Sequence, residues 1–209
     1  MPAVALRGLT ILPGMIAHFD VSRERSLRAI EEAMEQDQRI YLVTQSNVDR
    51  EDPTQEDLYQ MGIVADIKQV VRLQNDVVRI LVDGISRAKL LGFTGCEKYL
   101  EAEICYCDSN ADSLPEDLKE AMLLGVREAF HRYAAVIGKI SKELIRQIDQ
   151  YEDLEKLIDY VTNNLPVSYE LKQQVLEAED INDRYQVIVS LLLSQVEVIS
   201  IKNELQKKV

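Results

Sequence analysis

The chain has 209 residues, of which 46% are hydrophobic and 29% are charged, with only 8 Gly and 5 Pro. This composition is typical of a soluble globular protein and excludes an extensively disordered one. The net charge of −12 disfavours binding to phosphate backbones and to anionic lipid, because like charges repel. We therefore expect no nucleic-acid partner and no membrane partner.

The termini and the cysteines indicate the compartment. Residues 1–7 lack the charged-then-apolar order of a signal peptide, and we expect no apolar stretch of about 18 residues that could span a bilayer. The chain contains three cysteines, an odd number: Cys96, Cys105 and Cys107. An odd count is typical of a reducing compartment, so we predict a cytoplasmic protein.

The first half of the chain has the period-two pattern of strands. Apolar residues alternate with polar ones over residues 62–73, which predicts a half-buried strand. The Gln74-Asn75-Asp76 segment interrupts this pattern with residues that tolerate unusual backbone angles. Residues 77–82 then predict the second strand of a hairpin.

More strands and one helix complete this half. Asp83-Gly84 predicts a break, after which residues 87–91 and 99–106 predict two further strands. The helix has apolar residues at helical spacing: Leu27, Ile30 and Met34. Short strands with a single embedded helix favour a small, mostly antiparallel barrel, because a parallel sheet needs more crossover helices.

The pattern becomes helical after about residue 110. Apolar residues recur at spacings of three and four, and residues 180–208 contain neither Gly nor Pro, which predicts one long final helix. Val198, Ile201 and Leu205 continue an apolar seam of the coiled-coil type along this helix. We therefore predict an α+β chain with a β-rich domain at residues 1–112 and a helical bundle at residues 113–209.

A search for catalytic motifs finds none that fits. The chain has no GxxxxGK[ST] phosphate loop, because Ile140 follows Gly138-Lys139 where a hydroxyl is needed. The two histidines, His18 and His131, lie far from the cysteines and outside any zinc-like spacing. We expect no catalytic residue, no cofactor and no metal in this chain, and therefore no enzyme.

Several segments carry a resemblance to a known family. Residues 6–15, with the sequence LRGLTILPGM, resemble the opening of bacterial-type Lon ATP-dependent proteases. Residues 79–87, RILVDGISR, and residues 99–104 resemble strands of the family's barrel. Leu171-Lys172-Gln173 and Arg184 resemble parts of its helical bundle, so the similarity covers essentially the whole chain.

The resemblance implies both a fold and a role. It implies a PUA-like barrel and then a helical bundle that leads toward an AAA+ motor and a Ser-Lys protease domain. Neither catalytic region has matching positions here, so the family's ATP and magnesium are expected outside this chain. From the seam at Ile201 and Leu205 we expect that the chain is a truncation or a fragment of a longer protein. The implied role is to engage unfolded or damaged protein substrates and to support a homo-hexamer of Lon subunits.

Three residues are candidates for contact with such substrates. Unfolded proteins are distinguished by exposed apolar residues, so their receptor needs exposed apolar surface as well. Pro13 and Met15 lie in an apolar stretch broken by a Pro-Gly turn, and Leu81 is an apolar residue on a polar strand face. Val198, Ile201 and Leu205 are the candidates for the assembly helix.

Two other functions stay open. The chain could be a stand-alone protein-interaction module that dimerises through its C-terminal coiled-coil helix. PUA-like barrels can also bind RNA, although the acidic balance of this chain argues against it.

Overall fold

The computed structural model describes residues 1–208 and confirms the α+β class. The strands are β1 (Pro2–Leu6), β2 (Ile16–Val21), β3 (Arg39–Thr44), β4 (Met61–Arg72), β5 (Val78–Phe93) and β6 (Leu100–Tyr106). The helices are α1 (Glu24–Glu35), α2 (Glu116–Ile137), α3 (Lys142–Gln150), α4 (Leu154–Asn164), α5 (Tyr169–Glu177) and α6 (Ile181–Lys207).

Contacts divide the chain into two compact units. The first, called the β unit below, comprises Met1–Cys107 and Ser168–Glu177. The second, called the helical unit, comprises Asp108–Val167 and the described residues from Ala178 onward. The sequence prediction put the boundary after residue 112 and assigned all later residues to the helical bundle. In the structure, α5 instead belongs to the β unit.

The β unit is built on a mixed sheet with the order β2-β5-β4-β3-β1-β6. Within residues 1–208, β1 and β3 form its only parallel pair, and β5 also pairs with β6, which partly closes a barrel. The long strand β5 uses one edge for two partners. Its residues 78–83 pair with β2, and its residues 88–93 pair with β6.

Gly84 lies between these two segments of β5 and contacts the loop before β2. The Gly14 amide donates to the Gly84 carbonyl at 2.8 Å, and the Gly84 amide donates to the Met15 carbonyl at 2.9 Å. A Cβ at position 84 would overlap the Leu12 carbonyl oxygen, so only glycine allows this approach. The sequence prediction of a break at Asp83-Gly84 is therefore wrong, because β5 runs through it.

Both faces of the sheet are buried along much of the barrel. Ile40, Leu42 and Ile63 belong to one apolar cluster, on which α1 packs with Ala29 and Ile30. The alternate residues of the same strands form a second cluster, which includes Tyr41, Val43 and Val64. Because successive side chains point to opposite faces of a strand, one apolar run such as residues 40–43 supplies both clusters.

Helix α5 is attached to the β unit through buried polar groups. The Gln173 side chain, 1% exposed, donates to the Met61 carbonyl at 3.0 Å and accepts from Thr10 Oγ1 at 3.0 Å. The buried Arg87 of β5 donates to the carbonyls of Val175 and Leu176 at the C-terminal end of α5. These carbonyls lack partners within the helix, so Arg87 satisfies groups that burial would otherwise penalise.

The helical unit has α2 packed against α4 and α6. Its most buried charged residue is Arg184, which is 2% exposed, pairs with Glu155 at 3.1 Å and donates to the carbonyls of Ala178 and Glu179. A buried guanidinium needs such partners, because an unpaired buried charge is costly. Arg184 therefore fixes the start of α6 and the segment that precedes it.

Helix α6 is long and apolar enough, by length and composition, to cross a membrane. The expectation that the chain contains no such stretch is therefore wrong. A single helix of this kind is weak support for a membrane span, because the mostly buried core helix of a soluble protein passes the same test; the apolar window of α6 is 17% buried. In α6 the first half packs in the helical unit through residues such as Ile188 and Leu192.

Replacing Gly84 by alanine should displace the turn before β2. We expect Gly84→Ala to lower the free energy of unfolding by about 1–3 kcal/mol, because the added methyl overlaps a backbone oxygen. Urea denaturation measures the change. The control is Gly92→Ala on the same strand, where a Cβ would lie 3.8 Å from Gln55 Oε1. Equal stability of the two variants would contradict the close approach at Gly84.

Replacing Gln173 by leucine should loosen α5. We expect Gln173→Leu to cost about 1–3 kcal/mol, because it leaves the buried Met61 carbonyl without its donor. Hydrogen exchange at the amides of Val175 and Leu176 should become faster. The matched control is Gln174→Leu on the exposed side of the same helix. Faster exchange in both variants would argue against the Gln173 network as the attachment.

Candidate functional site

The candidate site lies on the outer face of β2 and β5 in the β unit. In this antiparallel pair, Ile16 is opposite Asp83 and His18 is opposite Leu81. Residues opposite each other share a face, and diagonal neighbours approach within about 7–8 Å. Ile16 and Leu81 are diagonal neighbours, so the register brings these two apolar side chains together on one surface.

This surface presents apolar side chains from three neighbouring strands, β2, β5 and β4. Ile16 is 69% exposed and Leu81 is half-buried. Val71 on the neighbouring strand β4 is opposite Arg79, and it is 39% exposed. We define the apolar patch as Ile16, Val71 and Leu81, together with the half-buried Pro13 and Met15 that precede β2. Contiguous exposed apolar residues mark binding surfaces more often than isolated ones do.

The turn before β2 holds Pro13 and Met15 at the edge of the patch. Gly14 has a φ of +76°, which glycine adopts without strain. The Met15 amide donates to the Leu12 carbonyl at 3.1 Å. Met15 also packs partly against the apolar core of the barrel, so it contributes to stability as well as to the exposed surface.

An ion pair borders the patch further along β2 and β5. Arg79 donates to both carboxylate oxygens of Asp20, at 2.7 and 2.9 Å. The hydrogen bond from Arg79 lowers the pKa of Asp20, and the positive charges of Arg79 and His18 add to the effect. Both charged groups are already paired with each other, so this border offers little unpaired charge to a ligand.

Sequence reasoning proposed Pro13, Met15 and Leu81 as contributors to one substrate patch, and it did not single out Ile16. The exposure of Ile16 depends on the start of β2 at that residue. From that start, Ile16, His18 and Asp20 alternate outward. The polar character of His18 and Asp20 was the available signal that Ile16 lies on the outer face.

The residues predicted for assembly lie in the second half of α6. Val198, Ile201 and Leu205 are between 50% and 60% exposed. Their spacing of three and four puts them on one side of the helix. Within residues 1–208, no other segment covers this side of α6. The substrate candidates belong to the β unit and the assembly candidates to the helical unit.

A cleft of about 580 Å³ is also present in the β unit, between β1 and the start of α1. Its arginines are already engaged with backbone oxygens. Arg23 donates to the carbonyls of Ala5 and Glu51, and Arg7 donates to the carbonyl of Arg50. Burial, and then the charge of Arg7, lower the pKa of Arg23. These contacts tie the loop after β3 to the barrel, which is a structural role.

Each of the two histidines is exposed on the surface of its own unit. His18 lies on the open outer face of β2, and His131 Nε2 lies 2.7 Å from Asp149 Oδ1 on the surface of the helical unit. Among the described residues, no group of three or more His, Cys, Asp or Glu side chains could hold a metal ion. The geometry therefore favours an apolar contact surface as the candidate site.

Comparison with known proteins identifies a family. The model of the ATP-dependent protease La (LON) substrate-binding domain matches residues 1–194. The Lon proteases of Lachnoclostridium phytofermentans and Clostridioides difficile are 38% and 34% identical over 209 and 212 residues. Lon protease 1 of Bacillus subtilis is 30% identical over 209 residues. All of this chain is covered in each case, but only 26–27% of each relative, so the chain spans about a quarter of their length.

Solved structures agree on the fold. The N-terminal domain of the Mycobacterium avium complex Lon protease has a TM-score of 0.74 at 19% identity, covering 91% of this chain and 96% of that chain. The Lon N-terminal domain protein from Xanthomonas campestris has a TM-score of 0.62 at 12% identity, with the same coverage. The chain therefore belongs to the family of ATP-dependent protease La (LON) substrate-binding domains.

Proposed function

We propose that this chain engages unfolded or damaged protein substrates through the apolar patch of the β unit. The observation that carries the proposal is the 69% exposure of Ile16 beside Leu81. A folded protein has buried its apolar side chains, whereas an unfolded one presents them, so an exposed apolar surface discriminates between the two. The family name, a substrate-binding domain, supports the same role.

The chemistry of the patch fits varied substrates. Aliphatic side chains and a methionine make non-directional contacts, and methionine adapts its shape to different partners. The net charge of −12 repels acidic proteins and nucleic acids, which limits unspecific association. No cofactor is required for such binding, and we propose that none binds in this region.

The second part of the proposal concerns assembly. The exposed seam of Val198, Ile201 and Leu205 is suited to contact with α6 of another Lon subunit, because apolar residues at spacings of three and four form coiled-coil interfaces. Such contacts would support a homo-hexamer of the whole protease. We assign the ATP-dependent motor and the protease activity to regions of the full-length protease outside this chain. We place the hexameric protease in the bacterial cytoplasm.

Removing the apolar patch should weaken binding to an unfolded protein. We expect Ile16→Ser and Leu81→Ser each to raise the Kd for a permanently unfolded model protein by about threefold to tenfold. This factor corresponds to about 0.7–1.4 kcal/mol, a part of the roughly 1.5–3 kcal/mol that complete burial of an apolar side chain contributes. NMR titration of the full chain measures the Kd. The same titration with the folded parent of the model protein should show no saturable shifts.

The control for these variants is Leu91→Ser, since Leu91 lies on the same strand and is 59% exposed. Leu91→Ser makes the same leucine-to-serine change as Leu81→Ser, but at the opposite end of β5. We expect it to leave the Kd for the unfolded protein unchanged. If the patch variants also bind as the unmodified chain does, the substrate role of this surface is refuted.

Polar substitution of the α6 seam should reduce self-association. We expect Ile201→Ser combined with Leu205→Ser to move the chain toward monomer in sedimentation equilibrium, because the seam loses its apolar contacts. Lys202→Ser, on another side of the same helix, is the control. If the unmodified chain is monomeric at all concentrations, the proposal that the seam mediates assembly is contradicted.

A further inference from the structure

A second cleft, in the helical unit, is lined by aromatic and acidic residues. It has a volume of about 670 Å³ and lies where α3 ends and α4 begins. Its lining residues are Gln147, Gln150, Tyr151, Glu152, Asp153 and Tyr160. None of these side chains is positively charged. We call this cleft the tyrosine cleft.

Two half-buried tyrosines form its wall. The ring centroids of Tyr151 and Tyr160 are 4.8 Å apart, and the ring planes are tilted by 32°. The Tyr160 hydroxyl donates to Gln147 Oε1, and Arg127 holds the Tyr151 carbonyl from the side of α2. The Tyr160 side chain and the Tyr151 backbone are therefore held before any ligand arrives, which lowers the entropy cost of binding.

The charges around the rings favour a cation. Among the hydrogen bonds and ion pairs of residues 1–208, none uses the Glu152 carboxylate. Asp153 accepts the Lys156 amide with one oxygen at 2.9 Å and keeps the other oxygen for a ligand. The cleft also adjoins the C-terminal end of α3, where unpaired carbonyls carry partial negative charge.

The neighbouring positive side chains leave a net negative charge at the cleft. Lys156, in the first turn of α4, carries one positive charge against the two carboxylates of Glu152 and Asp153. Arg146 is paired with Glu143, through contacts of 2.8–3.1 Å. Arg127 is committed to the Tyr151 backbone on the inner side. Burial, and then the negative charges that Tyr151 and Glu143 would add, raise the pKa of Tyr160. The Tyr160 phenol therefore stays protonated and neutral, and the negative charge of the cleft comes from Glu152 and Asp153.

We infer that the tyrosine cleft binds an arginine side chain of an extended protein segment. A guanidinium is planar, stacks on aromatic rings and donates two parallel hydrogen bonds to a carboxylate, which matches the Tyr151 and Glu152 pair better than an ammonium does. The aromatic wall and the acidic rim are complementary to this one side chain. That the segment comes from an unfolded client rests on the proposed function, whereas recognition of the guanidinium does not.

A short peptide that has no apolar side chain for the apolar patch tests the inference. The probe is acetyl-Gly-Gly-Arg-Gly-Gly-amide, which has no apolar side chain, titrated into the full chain and followed by NMR. We expect saturable shifts at the amides of Gln150, Tyr151 and Glu152, weakened about threefold or more by raising the salt from low to physiological concentration. The control peptide has citrulline, a neutral isostere, in place of arginine, and it should bind at least about fivefold more weakly, because it lacks the charge.

Variants separate the cleft from the patch. We expect the double variant Glu152→Gln and Asp153→Asn to weaken the arginine peptide about fivefold or more, while an asparagine side chain at the second position still caps α4. Glu120→Gln, on the exposed face of α2, removes one acidic charge elsewhere and should change nothing. Leu81→Ser, which tests the proposed function, should also leave this peptide's affinity unchanged.

Two results would overturn the inference. One is an absence of saturable shifts at the cleft with the arginine peptide. The other is equal binding of the citrulline peptide, which would assign any shift to the peptide backbone. Either result leaves substrate binding at the apolar patch as a separate question, because that role is read from Ile16 and Leu81 with a different probe.

Discussion

The architecture of the β unit depends on the backbone contact between Gly84 and the turn before β2. Two hydrogen bonds, of 2.8 and 2.9 Å, join Gly84 to Gly14 and Met15. The contact holds the turn at the point where β5 changes its partner from β2 to β6. It therefore sets the position at which β2 begins, and with it the register that places Ile16 beside Leu81. A side chain at position 84 would separate these elements, since backbone atoms cannot move aside as a flexible side chain can.

Buried arginines solve a related problem in both units. Arg87 donates to carbonyls at the end of α5, and Arg184 donates to the carbonyls of Ala178 and Glu179. Arg87 thus satisfies carbonyls in the last turn of α5, and Arg184 satisfies carbonyls that directly follow α5. An isolated helix of nine residues is marginal in water, because nucleation outweighs the few hydrogen bonds it gains. Tertiary contacts of this kind explain why α5 is stable on the β unit although, in sequence, it lies between two segments of the helical unit.

Much of the fold follows from local pattern. The hairpin at residues 74–76 was predictable because Asn75 and Asp76 accept the left-handed conformation, and both have φ near +60°. The strands and the long final helix follow from periodicity. The continuity of β5 through Gly84 does not follow from local pattern, because it depends on the close approach of the distant residue Leu12. The packing of α5 in the β unit does not follow from local pattern either, because it depends on contacts with distant residues such as Thr10. At the candidate site, the sequence pattern indicated Pro13, Met15 and Leu81 as candidates, and the register of β2 on β5 added Ile16 beside Leu81.

The most direct test of substrate engagement is site-specific photo-crosslinking in the full chain. Ile16 is replaced by p-benzoylphenylalanine, and the chain is irradiated with an unfolded model protein or with its folded parent. The same replacement at Glu120 in the helical unit is the reference. We predict strong crosslinks from position 16 to the unfolded protein, and few to the folded one or from position 120. Equal crosslinking from both positions, or to both forms of the model protein, would contradict the assignment of the patch.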